Sequence, residues 1–148
     1  LFLVPRADDA QVDQAIKTFS QLVWDSGAHL GHAVRTVAEA RKFARDNHQA
    51  RTALLESRIV HGSGRLYAEL LKSSGQQRWS KRERVEFCTL KLDECASRRR
   101  AQGDTAFVME PELKNGKGAL RDVSTIFWLS MAWYGVPTAR ELVGQGLV

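Results

Sequence analysis

The stretch EPELKNGKGALRD, from Glu110 to Asp122, carries more chemistry than any other part of this sequence. Gly116 and Gly118 lack a Cβ, so their backbone can come close to a ligand. Lys114 and Lys117 flank them, and a helix is predicted to begin about where the glycines end. Exposed amides at a helix N-terminus, aided by lysines, form a generic anion site. Arg121 adds a planar fork suited to phosphate or carboxylate. Glu110 and Asp122 are placed to orient those cations or to support a metal. The competing reading is a solvent-exposed turn whose Asp122 complements the dipole of its own helix. The sequence has no Walker A pattern, no G-x-G-x-x-G, no nucleophile elbow and no His/Cys metal cluster.

Two further residues merit attention. His29 to Arg35 alternates, which predicts a strand with Leu30, His32 and Val34 on one face. His32 then reads either as a hydrogen-bonded core or cleft histidine or as a ligand. Arg35, at the strand's end, reads either as facing a cleft or as paired with a nearby carboxylate. His29 and His32 fall on opposite faces and do not share a metal. Cys88 and Cys95 share a helix face roughly 10 Å apart, too far for a disulfide. Reduced structural thiols in a cytoplasmic protein are expected.

These residues need elements to hold them. At 148 residues the chain is long enough for a real core, and a 43% hydrophobic, 26% charged composition excludes a disordered or collagen-like chain. No apolar run reaches the roughly 18 residues of a membrane helix. The net charge of +5 is concentrated at Arg78 to Arg84 and Arg98 to Arg100. Such clusters suit phosphates or acidic proteins, or are solvated helix ends.

The predicted order begins with a strand at Leu1 to Val4, a helix capped by Asp8 or Asp9, and the strand containing His32. Helices follow at about 36–46, 49–57 and 66–72, with a short strand at Arg58 to His61. The first capping box is Thr36 with Glu39. A polar stretch, residues 73–79, separates residues 1–72 from residues 80–148. Ser80 and Glu83 open a long helix to about Ala101, with Val85, Cys88, Leu92 and Cys95 as its apolar stripe. Residues 106–109 are expected to be extended and stopped by Pro111. A helix from Ala119 to about Tyr134 carries Phe127, Trp128, Trp133 and Tyr134, expected to pack in the core. Thr138 caps the last helix.

Four blocks, WDSGAHLGHAVRTVAEA (24–40), TALLESRIVHG (52–62), GDTAFVMEPELKNGKGALRD (103–122) and IFWLSMAWYGVPTARELV (126–143), stand in an order that resembles the bifunctional PII uridylyltransferase/uridylyl-removing enzymes. The resemblance implies a mixed α+β fold. Residues 1–72 would be the rear half of a polymerase-β-type nucleotidyltransferase α/β domain, 73–79 a linker, and 80–148 the start of a helical domain. It also implies transfer of UMP from UTP to a tyrosine of the PII signalling protein. Mg2+ would be held by an Asp-x-Asp pair expected upstream of Leu1, and glutamine would be sensed by further domains. No catalytic residue is therefore expected within these 148 residues, nor activity from them alone. No nucleic-acid or membrane partner is expected. Lys114, Gly116, Lys117, Gly118 and Arg121 would line the nucleotide cleft, supported by Glu110, Asp122, Arg35 and His32. Ala119 stands where the family pattern, GGLRD, has a second glycine. A glutamine-synthetase adenylyltransferase-like or stand-alone nucleotidyltransferase-like protein, and a non-catalytic basic binding module, are the alternatives.

Overall fold

Asp9 accepts the amides of Gln11 and Val12 at 3.1 and 3.2 Å and starts the first helix of a computed structural model that describes residues 1–105, 110 and 112–147. That helix, α1 (Ala10–Asp25), joins two parallel strands, β1 (Phe2–Val4) and β2 (Val34–Thr36). Phe2, Leu3 and Val4 stand opposite Val34, Arg35 and Thr36. Helices α2 (Val37–Asp46), α3 (His48–Leu55) and α4 (Gly64–Ser74) follow. A 3-10 turn (Gln76–Arg78) precedes α5 (Lys81–Ala101), α6 (Leu120–Tyr134) and α7 (Ala139–Gly144). The described fold is mixed and mostly helical, with one two-stranded sheet. The extended segment expected at 106–109, and Pro111, lie outside the described residues.

The chain divides into two units. The first comprises Leu1–Ala50 and Ser57–Ser74. In it α2 packs on α4 and on β2, and α4 also meets β1. Val4, Ile16, Ala40, Ala44 and Leu70 are its buried apolar residues. Thr36 ends β2 and caps α2 through a complete capping box with Glu39.

The predicted strand from His29 to Arg35 shortens to β2, and His32 lies before it. Parallel pairing needs a partner residue at every step. Here the ladder is confined to the three pairs Phe2–Val34, Leu3–Arg35 and Val4–Thr36. The strand expected at Arg58 to His61 does not form. Ile59 and Val60 are exposed there, and β-branched residues favour a strand only where they have one to pack against.

The second unit comprises Arg51–Glu56 and the residues from Gly75 onward. Its core is Phe87, Trp128 and Ala132, with Leu55, Trp79 and Cys88 against them. The second capping box, Ser80 with Glu83, forms as predicted. The stripe on α5, however, is shifted. Phe87, Lys91 and Cys95 are buried, whereas Val85 and Leu92 are exposed. Lys91 lies on that buried face. Its ammonium lies 4.9 Å from the Trp128 ring centre and 5.9 Å from that of Phe87, and it pairs with Glu94 at 2.7 Å. Two aromatic faces and a carboxylate replace water around a cation that no apolar pattern would place inside.

α6 departs from expectation in the same way. Its buried face is Asp122, Thr125, Trp128, Ser130 and Ala132, while Trp133 and Tyr134 are exposed. Thr125 and Ser130 return their hydroxyl protons to the carbonyls of Arg121 and Ile126, so they are buried without loss. Trp128 donates its indole N–H to Glu56 at 2.7 Å. Arg84 caps the far end of α6, donating to the carbonyls of Ala132 and Trp133 at 2.9 and 2.8 Å. No described helix is long and apolar enough to cross a membrane.

Candidate functional site

The loop from Glu112 to Gly118 is fixed to α6 by one buried carboxylate. Asp122 lies on the first turn of α6 and is only 8% exposed. Its Oδ1 accepts from Arg98 at 2.5 Å and from the Cys95 thiol at 3.3 Å. Its Oδ2 accepts from Arg99 Nη2 at 2.7 Å, Arg99 Nε at 3.1 Å and the amide of Gly118 at 2.9 Å. Burial alone would raise the Asp122 pKa. The Gly118 amide and then the Arg99, Arg98 and Cys95 hydrogen bonds outweigh it and hold the carboxyl well below the usual range. Burial, and then the bond to Asp122, push the Cys95 thiol up.

The loop's other polar groups are largely spent on itself. Glu112 accepts the amide of Lys114 at 2.9 Å and that of Asn115, and its backbone carbonyl accepts from Gly116 at 3.1 Å. The Lys114 amide, then burial acting in opposition, and then the Asn115 amide leave the Glu112 carboxyl below its ordinary value. The first amides of α6 turn back to the loop: Leu120 donates to Leu113 O and Arg121 to Lys114 O, each at 3.0 Å. Gly116 is required sterically, because a Cβ there would sit 2.6 Å from Glu112 O. Gly118 is required by its φ of +78°. Ala119 has a φ of −81°, so the departure from GGLRD costs no backbone strain.

The amides of Gly116 and Gly118 thus hold protein acceptors in this state, and the charge left to meet an anion is on side chains. Lys114 is exposed. Lys117 is also exposed, 3.2 Å from both the carboxylate and the carbonyl of Asp104. Arg121 is half-buried, with its guanidinium 5.9 Å from the Trp128 ring centre. Glu110 is exposed.

Arg35 and His32 belong to the first unit. Arg35 stacks over the Phe43 ring at 4.0 Å. His32 is exposed and stands edge-on to Phe2 at 5.7 Å and tilted on Trp24 at 5.9 Å. It is neither a core histidine nor on a strand.

Arg98, Arg99 and Cys95 are the site residues that the sequence reading missed. Three arginines ending a helix read as dipole complements. The available signal was Asp122, a carboxylate due to be buried on an otherwise apolar helix and therefore in need of cations. Among the described residues, no three of His, Cys, Asp and Glu gather to hold a metal ion.

The family model described as GlnD PII-uridylyltransferase matches residues 86–148, which include the whole Asp122 cluster. Over nearly its full length the chain is similar to proteins named bifunctional uridylyltransferase/uridylyl-removing enzyme. It is 37% identical over 147 residues to that of Nitrobacter hamburgensis and 38% identical over 147 residues to that of Bradyrhizobium diazoefficiens. It is 38% identical over 150 residues to that of Azospirillum brasilense. The chain is thus similar to a segment of these enzymes. The matches cover 98–99% of the chain but only 15–16% of each of these relatives, so it corresponds to a short segment of the family's full length. No solved structure matches.

Proposed function

We propose that this chain forms one wall of the UTP site in an enzyme that moves UMP from UTP onto a tyrosine of the PII nitrogen-signalling protein and, as a whole, also removes it. The observation that carries this reading is the fixed loop. Asp122, bonded to Cys95, Arg98, Arg99 and Gly118, anchors the turn that bears Lys114 and Lys117 beside Arg121. The family's name supplies the nucleotide, and the loop supplies the cations a triphosphate needs. Arg121 offers a fork to phosphate oxygens, Lys114 a mobile point charge, and Lys117 a charge that can leave Asp104 for a ligand.

On this reading the first unit is the rear part of a polymerase-β-type domain, with Arg35 and His32 supporting its cleft. Mg2+ would polarise the α-phosphate and would be held by acidic residues elsewhere in the longer enzyme. The 148 residues alone do not transfer UMP. Glutamine acts through other parts of the longer cytoplasmic enzyme.

The test uses a full-length relative carrying this segment in place of its own, with UMP transfer to the PII protein as readout. Arg121→Ala is expected to raise the KM for UTP roughly tenfold or more, the loss of one charge-assisted contact. An unchanged KM and kcat would remove Arg121 and the loop from the nucleotide site.

A further inference from the structure

We propose that Arg99 is a positioning residue for the nucleotide, setting the lysine-bearing loop through Asp122. This rests on the UTP-wall reading above. Arg98 and Arg99 lie on the last turn of α5, outside that loop, 24 and 23 residues before Asp122 in sequence. Neutralising a buried carboxylate needs one cation, and Arg98 already provides it on Oδ1. Arg99 instead brings two N–H groups to Oδ2, the same oxygen that receives the Gly118 amide. Gly118 is the residue after Lys117 and lies three before Arg121. The shared oxygen therefore ties the end of α5 to the point in the loop from which both cations are aimed.

Gly118 adopts a left-handed backbone, and the turn before it closes on Glu112. A loop built this way has few ways to shift by a fraction of its length. Releasing Arg99 frees Oδ2 to rotate and lets the Gly118 amide, and with it Lys117 and Lys114, move. Misplacing a binding group by 1 Å can cost about a hundredfold in rate or affinity. Lys cannot replace Arg99, because a single ammonium does not reproduce the two-pronged contact.

The experiment measures KM for UTP, kcat and Tm in a full-length relative carrying this segment, for Arg99→Ala, Arg99→Lys, Lys114→Ala and the double variant Arg99→Ala/Lys114→Ala. Arg99→Ala and Arg99→Lys are each expected to raise KM about tenfold, with Lys restoring Tm but not KM. The double variant is expected to be little worse than Lys114→Ala, because the arginine acts through the lysine's position. The proposal is overturned if Arg99→Lys lowers Tm and leaves KM unchanged, or if the two losses multiply in full. If Lys114→Ala alone leaves KM unchanged, the UTP-wall reading falls and this one with it. If Lys114→Ala raises KM but Arg99→Lys does not, only the positioning role is lost.

Discussion

Gly118 donates its amide proton to Asp122 Oδ2 at 2.9 Å, and Arg99 reaches the same oxygen at 2.7 Å. One carboxylate thus accepts from the loop that opens α6 and from the arginines that end α5: the loop gains an anchor, and those arginines gain a counter-charge. The site's geometry depends on that carboxylate staying ionised.

That dependence predicts a specific response to acid. Asp122 has a folded-state pKa below its unfolded one, so its stabilisation is full above the unfolded value, about 3.9. It is lost progressively as pH falls through the folded value. Asp122→Asn is expected to cost up to about 3 kcal/mol at pH 7, less than a fully buried pair because Arg99 is partly exposed. Urea unfolding at pH 7 and pH 3 checks this. The gap between parent and variant should shrink at pH 3, and a gap of constant size would mean the charge contributes nothing.

The loop's glycines should fail for different reasons. Gly118→Ala is expected to cost about 1–2 kcal/mol from its left-handed backbone, and Gly118→Asn less. Gly116→Ala must push Glu112 O away from a contact of 2.6 Å and should disturb the loop at an unstrained φ. Ala119→Ser tests the cap. A serine at an uncapped N-cap usually gains about 1 kcal/mol, but here the Arg121 and Asp122 amides already have acceptors, so a gain near zero is expected. Tm values for the four variants decide between these effects.

Lys91 should tolerate an apolar replacement better than a small one. It is 3% exposed, beneath Trp128 and beside Phe87. Lys91→Met keeps the volume and removes a buried charge, a change that is often neutral or stabilising. Lys91→Ala leaves a cavity and is expected to cost about 2 kcal/mol or more. If Lys91→Met were the worse of the two, the ammonium–ring contacts would matter more than the packing.

How legible all this was in the sequence follows from which signals are local. Asp9, Thr36 with Glu39, Ser80 with Glu83, and Thr138 each cap the helix they were read to cap, because a cap is decided within four residues. Faces were harder. An apolar stripe assumes that cations point outward, and Lys91 reverses this on α5. Small residues at Thr125, Ser130 and Ala132 let α6 turn its polar side inward. Strands were harder still, since β2 takes its length from β1, more than two dozen residues away. In the site, the loop's glycines and cations were visible. The clasp was not, because Arg98 and Arg99 meet Asp122 only after α5 and α6 pack together.

The most direct measurement of the central claim is the reactivity of Lys114 toward an amine-acylating reagent in a full-length relative carrying this segment, followed by mass spectrometry with and without UTP. Lys114 is exposed, so it should label readily in the free enzyme. Saturating UTP should protect it strongly, and Arg99→Lys should weaken that protection. Equal labelling of Lys114 at zero and saturating UTP, in an enzyme that still transfers UMP, would contradict the placement of this loop at the nucleotide.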